Sequence, residues 1–485
     1  MSELARVAGP VACLGLALLL VAPRRELRLA GFVAWAAGAG VLALHLAPSG
    51  HEALLAGAAA GGLALAAAGA WGLLRWPWAL AFATLLLLPA RIPVTLGEES
   101  ANLLLPLYGV VAAAALALGW RLVRGDARVR ELGRLSFPLA ALVAWIGLSL
   151  LWTDDLRNGS IFLLAFVLPF GLLAICFARL PWRETPLLAL YGVLAGTALA
   201  YAGVGIYQWL ARDVFWNPKV IVPNAYAPFF RVNSVFWDPS IYGRYLVLAL
   251  LTTLALLLVG LRRHHLAGAI ALIAVVWVGL LFSFSQSSFL ALIAGVLAAA
   301  TVTWRWRAAF ALGVLSAAVI TAGFATPQVR NQLLDKSRAG INAATSSRAG
   351  LVANGIRITR DNPVLGVGVG SFKVAYAEQV GLPGREPRRG ASHTAPVTVA
   401  AETGLPGLVL LGWLGVVALA ALLRGPHGGA AGRTVLVVGL TLGAIAVHSL
   451  FYAALFEDPT TWALLGLAAL ALAQREREAV AEAPA

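Results

Sequence analysis

Fifteen apolar runs, most of them near the length of one bilayer crossing, follow each other along this chain with short polar breaks between them. They fall at about 7–22, 29–47, 53–74, 77–90, 101–120, 136–152, 158–178, 186–209, 239–261, 266–283, 287–303, 308–325, 404–423, 434–455 and 460–473. A helix crossing the hydrocarbon core needs about 20 such residues. Only helices or closed barrels satisfy the backbone in lipid, and the runs lack the alternation of a barrel strand. The expectation is an all-α integral membrane protein, a polytopic bundle of about 14 transmembrane helices. Fifteen crossings would put the N-terminus outside; fourteen, with 7–22 not crossing, would put both termini inside. The run at 7–22 also has the length of a signal peptide, but no small-residue cleavage site precedes the arginine cluster that follows it.

At 60% hydrophobic and 12% charged, the 485 residues exclude a soluble multi-domain enzyme, a disordered chain and a disulfide-stapled domain. Cys13 and Cys176 both lie inside apolar runs, so neither a disulfide framework nor a thiolate metal site is expected. The net charge of +14 matters through its placement. Only Lys219, Lys336 and Lys373 are lysines; the other cations are arginines. Arg24, Arg25 and Arg28, then Arg75, then Arg121 to Arg134, then Arg179 and Arg183 occupy every second break. Arg262 and Arg263, Arg305 and Arg307, Arg424 and Arg433, and Arg475 and Arg477 continue the series. The positive-inside rule assigns all of these to the cytoplasm. The opposite breaks, 48–52, 91–100, 153–157, 210–237, 326–403 and 456–459, then face outward. With no basic face interleaved with aromatics outside the membrane, nucleic acid is not an expected partner.

Only two outward breaks are long enough to hold chemistry, 210–237 and 326–403. The expected organisation is N-terminal helices over 1–209, a first outward loop over 210–237, central helices over 238–325, a large catalytic loop over 326–403, and C-terminal helices with a short tail over 404–485. Within the large loop, Ser346 and Ser347 precede an amphipathic helix running to about Asp361, with Asn362-Pro363 as its stop. The loop carries ten Lys/Arg against five Asp/Glu. Arg330, Lys336, Arg338, Arg348, Arg357, Arg360, Lys373, Arg385, Arg388 and Arg389 are the cations. Long translocated loops escape the charge rule, so a solvated face explains this excess as well as an anion site does. If functional, several guanidinium forks fit the oxygens of a diphosphate without metal. His393 stands at the membrane face with Glu402 nine residues on, and histidine is the side chain most readily poised as a base near neutral pH. A lone outward histidine is more often a solvated bystander; its setting in a long basic loop beside an apolar bundle argues otherwise. The Gly-x-Gly-x-Gly of Gly366, Gly368 and Gly370 reads as a tight turn rather than a nucleotide cradle. No Walker A, HExxH or CxxC sequence occurs.

Three segments together resemble the O-antigen ligase/polymerase superfamily of polytopic glycosyltransferases. The first, Arg231-Val-Asn-Ser-Val-Phe236-Trp-Asp238-Pro239, is similar to that family's R-x-x-G-x-F-x-(N/D)-P. The second, Phe282-Ser-Phe-Ser285-Gln286-Ser287, stands where the family writes S-R-(S/G). The third and most specific is Arg348 followed by Asp361-Asn-Pro363-Val-Leu-Gly366-Val-Gly368-Val-Gly-Ser-Phe372, then Ser392-His393 and Glu402-Thr-Gly404-Leu-Pro-Gly407. The likeness runs from about 232 to 416. It implies a glycan donor linked through diphosphate to undecaprenol, taken from the periplasmic side of the bacterial inner membrane. The glycan passes with inversion to an acceptor hydroxyl, with no cofactor and no metal. Carried onto this sequence, His393 becomes the base and Arg348 the group that binds the diphosphate and offsets the leaving group's charge. Arg231 becomes a second phosphate contact, Gln286, Arg357 and Arg360 further diphosphate-side positions, and Glu402 a possible support. Two residues depart from the pattern: Gln286 replaces the usual arginine, and Thr394 replaces the asparagine after the histidine.

The resemblance favours a ligase acting on a lipid A–core acceptor, because the histidine segment matches ligases somewhat better. A polymerase lengthening a lipid-linked repeat unit needs the same base and phosphate cradle. A lipid-linked glycan transporter suits the helix count, but no internal repeat and few intramembrane charges accompany it. A metal-dependent transferase would rest on Asp154 and Asp155, an acid pair in a short outward break.

Overall fold

The structure, a computed structural model, describes residues 1–485 except 49, 51, 97–98, 127, 129, 184, 216, 227–229, 259–264, 326–347, 382–390 and 482–485. The proposed serine cap at Ser346 and Ser347, and Arg330, Lys336, Arg338, Arg385, Arg388 and Arg389, lie outside the described residues. The helices in order are α1 (Ser2–Val21), α2 (Arg25–Leu46), α3 (Glu52–Arg75), α4 (Ala79–Leu87), α5 (Leu105–Val123), α6 (Ser136–Leu148), α7 (Leu156–Phe162), α8 (Leu168–Ala178) and α9 (Leu187–Ala211). They continue with α10 (Pro218–Tyr226), α11 (Pro239–Leu258), α12 (Leu266–Ser283), α13 (Gln286–Ala325), α14 (Arg348–Asp361), α15 (Phe372–Gln379), α16 (Ala395–Leu423), α17 (Gly429–Ser449) and α18 (Pro459–Ala481).

Among the described residues, twelve helices are long and apolar enough to cross a membrane. The chain is an all-α, multi-pass membrane protein. Twelve is three fewer than the fifteen apolar runs. The run at 77–90 forms only the nine residues of α4, flanked by Pro77 and Pro89. At 1.5 Å per residue that is roughly half the ~30 Å of hydrocarbon. The runs at 287–303 and 308–325 are one continuous helix, α13, because no glycine or proline between Gly295 and Gly313 breaks it at Arg305 and Arg307. The run at 460–473 sits in α18, which carries charges from Arg475 to Glu478 and reaches the end of the bundle where Glu476 pairs with Arg134. That helix packs against α8 and buries Trp462 to 1% exposure. The stretch 91–103, read as an outward loop and the start of a span, folds into a small antiparallel hairpin. Its strands are β1 (Ile92–Leu96) and β2 (Glu99–Leu103), with Ile92 opposite Leu103. β-Branched Ile92, Val94 and Thr95 favour that extended backbone.

The run at 7–22 is part of the bundle. Cys13, Leu16 and Leu20 of α1 are fully buried, and α1 lies along α2 at backbone contact. A Cβ at Gly15 would stand 2.5 Å from the Gly31 carbonyl oxygen, and one at Gly38 would stand 2.5 Å from that of Ala8. Small residues at such crossings replace the hydrophobic drive that lipid removes.

The expected alternation of loops is realised as contact. At one end Arg25 donates to the Leu122 carbonyl (2.9 Å), Arg134 pairs with Glu476 (3.0 Å), and Arg475 donates to the Ala421 carbonyl (3.0 Å). Arg28, Asp126, Glu131 and Arg179 form a buried ion cluster there, with Arg28–Glu131 at 2.6 Å and Arg179–Asp126 at 2.5 Å. At the other end the break after α6 meets the one after α14, and the break after α10 meets the one after α12.

Candidate active site

Pro406 has no N–H for the Glu402 carbonyl, and Gly404 sits at φ +71°, so α16 kinks one turn after Glu402. The kink frees carbonyls that the glycine-rich segment takes up. Val367 N–H donates to Ala401 (2.9 Å) and Gly368 N–H to Glu402 (2.8 Å), while Leu405 N–H turns to Pro363 (2.8 Å). Trp145 covers the Thr403 carbonyl at 2.7 Å. Across the segment, Thr153 donates to the Val369 carbonyl (2.7 Å), and Ser371 Oγ accepts from the amides of Asp154 and Asp155 (3.0 Å each). Gly368 holds φ +89°, and a Cβ there would collide with the Thr153 backbone. The backbone amides of Val367, Gly368 and Val369 thus bond protein groups. The segment is a clamp joining α14, α16 and the α6–α7 break, and the reading as a tight turn fits it.

Glu402 belongs to this clamp, with its carboxylate accepting from the amide of Phe372, the first residue of α15 (3.3 Å). Asp155 caps α7, accepting from the Asn158 amide (3.0 Å) and its side-chain nitrogen (2.7 Å). That gives one member of the Asp154/Asp155 pair a structural task.

The clamp sets α14 against the outer half of α16. A Cβ at Gly355 would meet Val397 at 2.6 Å, Phe372 at 3.3 Å and Ser392 at 3.4 Å. Ser392 in turn is fixed by its hydroxyl, which donates to the Thr394 carbonyl (2.8 Å) and bonds Thr398 (2.9 Å). Between them His393 adopts φ +64°, a left-handed backbone that costs about 1–3 kcal/mol for a non-glycine residue. A strained residue held by its neighbours on both sides is a mark of a functional position.

Arg348 opens α14 on the same side of that helix as the buried Leu351 and Gly355, at 100° per residue. Arg231 comes from the break after α10, its backbone gripped by Asn224 through two hydrogen bonds (2.8 and 3.0 Å). Its Nε donates to the Ser283 carbonyl at the end of α12 (3.2 Å). Burial pushes the Arg231 guanidinium below its usual range. The neighbouring charge of Arg348 pushes the same way, while Asp238 and Tyr452 oppose both. Arg231 therefore feels the charge of Arg348, a repulsion that a bound anion relieves.

Gln286 is exposed at the start of α13, three residues from the Ser283 that holds Arg231. Arg357 and Arg360 are exposed on other faces of α14; Arg357 is half a turn of the helical wheel from Arg348 and donates to Asn354 (3.3 Å). Arg348 is near enough for its charge to act on Arg231, His393 sits on the frame that carries Arg348, and Arg357 and Arg360 lie on other faces of α14. Sequence reasoning missed a buried set behind Arg231, formed by Arg244, His448, Tyr452 and Asp458 with Ser287 and Ser288. The signal was there: polar side chains inside or at the edge of apolar runs seldom lack a task.

Residues 269–412 match the family described as O-Antigen ligase. Over that segment, about three tenths of its length, the chain is similar to this family. No curated protein matches the chain. The matched segment runs from α12 to the middle of α16 and contains Gln286, Arg348, His393 and Glu402. Arg231, Arg244 and His448 come from outside it and meet it through the fold. Members of the superfamily are membrane glycosyltransferase-like enzymes.

Proposed function

We propose that the protein is an O-antigen ligase-type glycosyltransferase of the bacterial inner membrane. It moves a glycan from undecaprenyl diphosphate to a sugar hydroxyl of a lipid A–core acceptor on the periplasmic side. The observation that carries this reading is Arg231, gripped by Asn224 and the Ser283 carbonyl within reach of the Arg348 charge, at the end of an apolar bundle where a lipid diphosphate would present its head group. His393, on the frame that carries Arg348, accepts the proton of the acceptor hydroxyl. The alkoxide oxygen attacks the anomeric carbon from the face opposite the diphosphate, and the bond from that carbon to the phosphate oxygen breaks. The electron pair leaves with undecaprenyl diphosphate, whose growing charge the two guanidinium groups offset, and the configuration inverts. With those cations supplying the charge, the reaction needs no metal.

Reconstitution with an undecaprenyl-diphosphate glycan and a lipid A–core acceptor tests the reading. Product on the core, retained in chelator and lost in His393→Ala and Arg348→Ala, supports it. Product that only lengthens on the carrier would make the protein a polymerase using the same groups. Near-normal transfer by His393→Ala would remove the base assignment.

A further inference from the structure

Behind Arg231 a chain of buried polar groups connects three helices. Asp458 accepts from Arg244 Nη1 (2.6 Å), and the same nitrogen donates to the Ala454 carbonyl (2.7 Å). Arg244 Nη2 lies 3.0 Å from His448 Nδ1. His448 Nε2 lies 3.1 Å from Ser287 Oγ and 3.3 Å from Ser288 Oγ. Ser285 Oγ bonds both serines, at 3.2 and 2.8 Å. His448, Ser285, Ser287 and Ser288 are all at most 4% exposed. A guanidinium has no acceptor, so His448 Nδ1 must accept. That fixes one neutral tautomer, with Nε2–H presented to the hydroxyls.

Ser287 and Ser288 lie in the first turn of α13, and Ser285 lies in the turn between α12 and α13. Phe284 there has φ +46°, and the turn is the element whose Ser283 carbonyl holds the Arg231 guanidinium. The Phe282 carbonyl holds the amide of Val232 (3.1 Å). Gly243 of α11 lets the turn approach this closely, since a Cβ there would stand 2.5 Å from Ser288 Oγ. We infer that His448 is a positioning residue for the diphosphate site, locking the α12–α13 turn to the Arg244–Asp458 pair so that Arg231 keeps its aim. This rests on the proposed function. His448 touches neither donor nor acceptor; it acts through Ser287 and Ser288 on the carbonyl that orients Arg231.

A double-mutant cycle on the full-length protein in nanodiscs tests it, with undecaprenyl-diphosphate glycan as the varied substrate. His448→Leu raises the donor KM roughly ten- to a hundredfold, the worth of a hydrogen bond to a charged group, and leaves the acceptor KM unchanged. His448→Gln, which offers an oxygen to Arg244 and an N–H to the serines, restores the donor KM to within about threefold. Arg231→Ala/His448→Leu is no worse than Arg231→Ala alone, because the second lesion acts through the first. Additive losses, or equal damage to donor and acceptor KM, would overturn the inference, with thermal unfolding confirming that each variant is folded. Wild-type protein that binds undecaprenyl diphosphate but transfers nothing would sink the proposed function alone, and the cycle is then read from Kd. Wild-type protein that binds none would remove both.

Discussion

The left-handed backbone of His393 separates its chemistry from its contribution to folding. His393→Gly removes the imidazole and also the strain at φ +64°, so transfer should vanish while stability in detergent holds or rises by about 1 kcal/mol. A thermal melt beside a transfer assay checks both halves. Glu457 makes a second prediction from one side chain. Its carboxyl lines a cavity with Arg244 and Asp458, and burial pushes its pKa from 4.5 up to about 7. The folded state therefore favours the protonated form. That contribution to stability is complete below about pH 4.5 and is lost as pH rises through about 7. Melting temperature followed across that window should fall for the wild type, and Glu457→Gln should flatten the decline. Arg348, Arg231 and His393 were candidates from the sequence because their neighbours form a recognisable pattern. Arg244 and His448 stand out as polar residues in apolar helices, but what they pair with was not legible. Their partners are 204 and 214 residues apart along the chain, so no local spacing announces them.

At the scale of the element, the glycine-rich clamp and the kink of α16 are two halves of one device. Proline and glycine in α16 free the carbonyls that the clamp's amides need, and the clamp's positive-φ glycines let its backbone reach them. Gly368→Ala should therefore lose transfer with a destabilisation of about 1–3 kcal/mol, since its Cβ meets backbone at Thr153 that cannot swing aside. Gly381→Ala, at φ +71° with nothing within 4 Å, serves as the matched control for positive φ alone. Chemical denaturation compares the two. The segment was readable as a turn from its glycines, whereas its docking partners were not, because they depend on where α6 and α16 lie. Hydropathy likewise marked each run without saying whether proline would shorten it, as in α4, or a lack of breakers would join it to the next, as in α13.

Across the whole molecule, the candidate site residues gather at one end and the Arg28, Asp126, Glu131 and Arg179 cluster ties the other. Glu131 bonds both arginines, so Glu131→Gln leaves them buried beside each other with a neutral partner. A loss of about 3–5 kcal/mol is expected in equilibrium unfolding, with the donor KM of the surviving folded protein unchanged. The two-ended layout was legible from the arginines alone, while the pairing inside the cluster was not. That cluster also has a consequence for biogenesis. Arg28 is made 103 residues before Glu131, and at ~5–20 residues per second of translation the interval lasts on the order of ten seconds. For that time α2 carries an unmatched cation at the edge of the bilayer, so the first helices must wait at the insertion machinery or at the lipid head groups until the ribosome delivers their counter-ion.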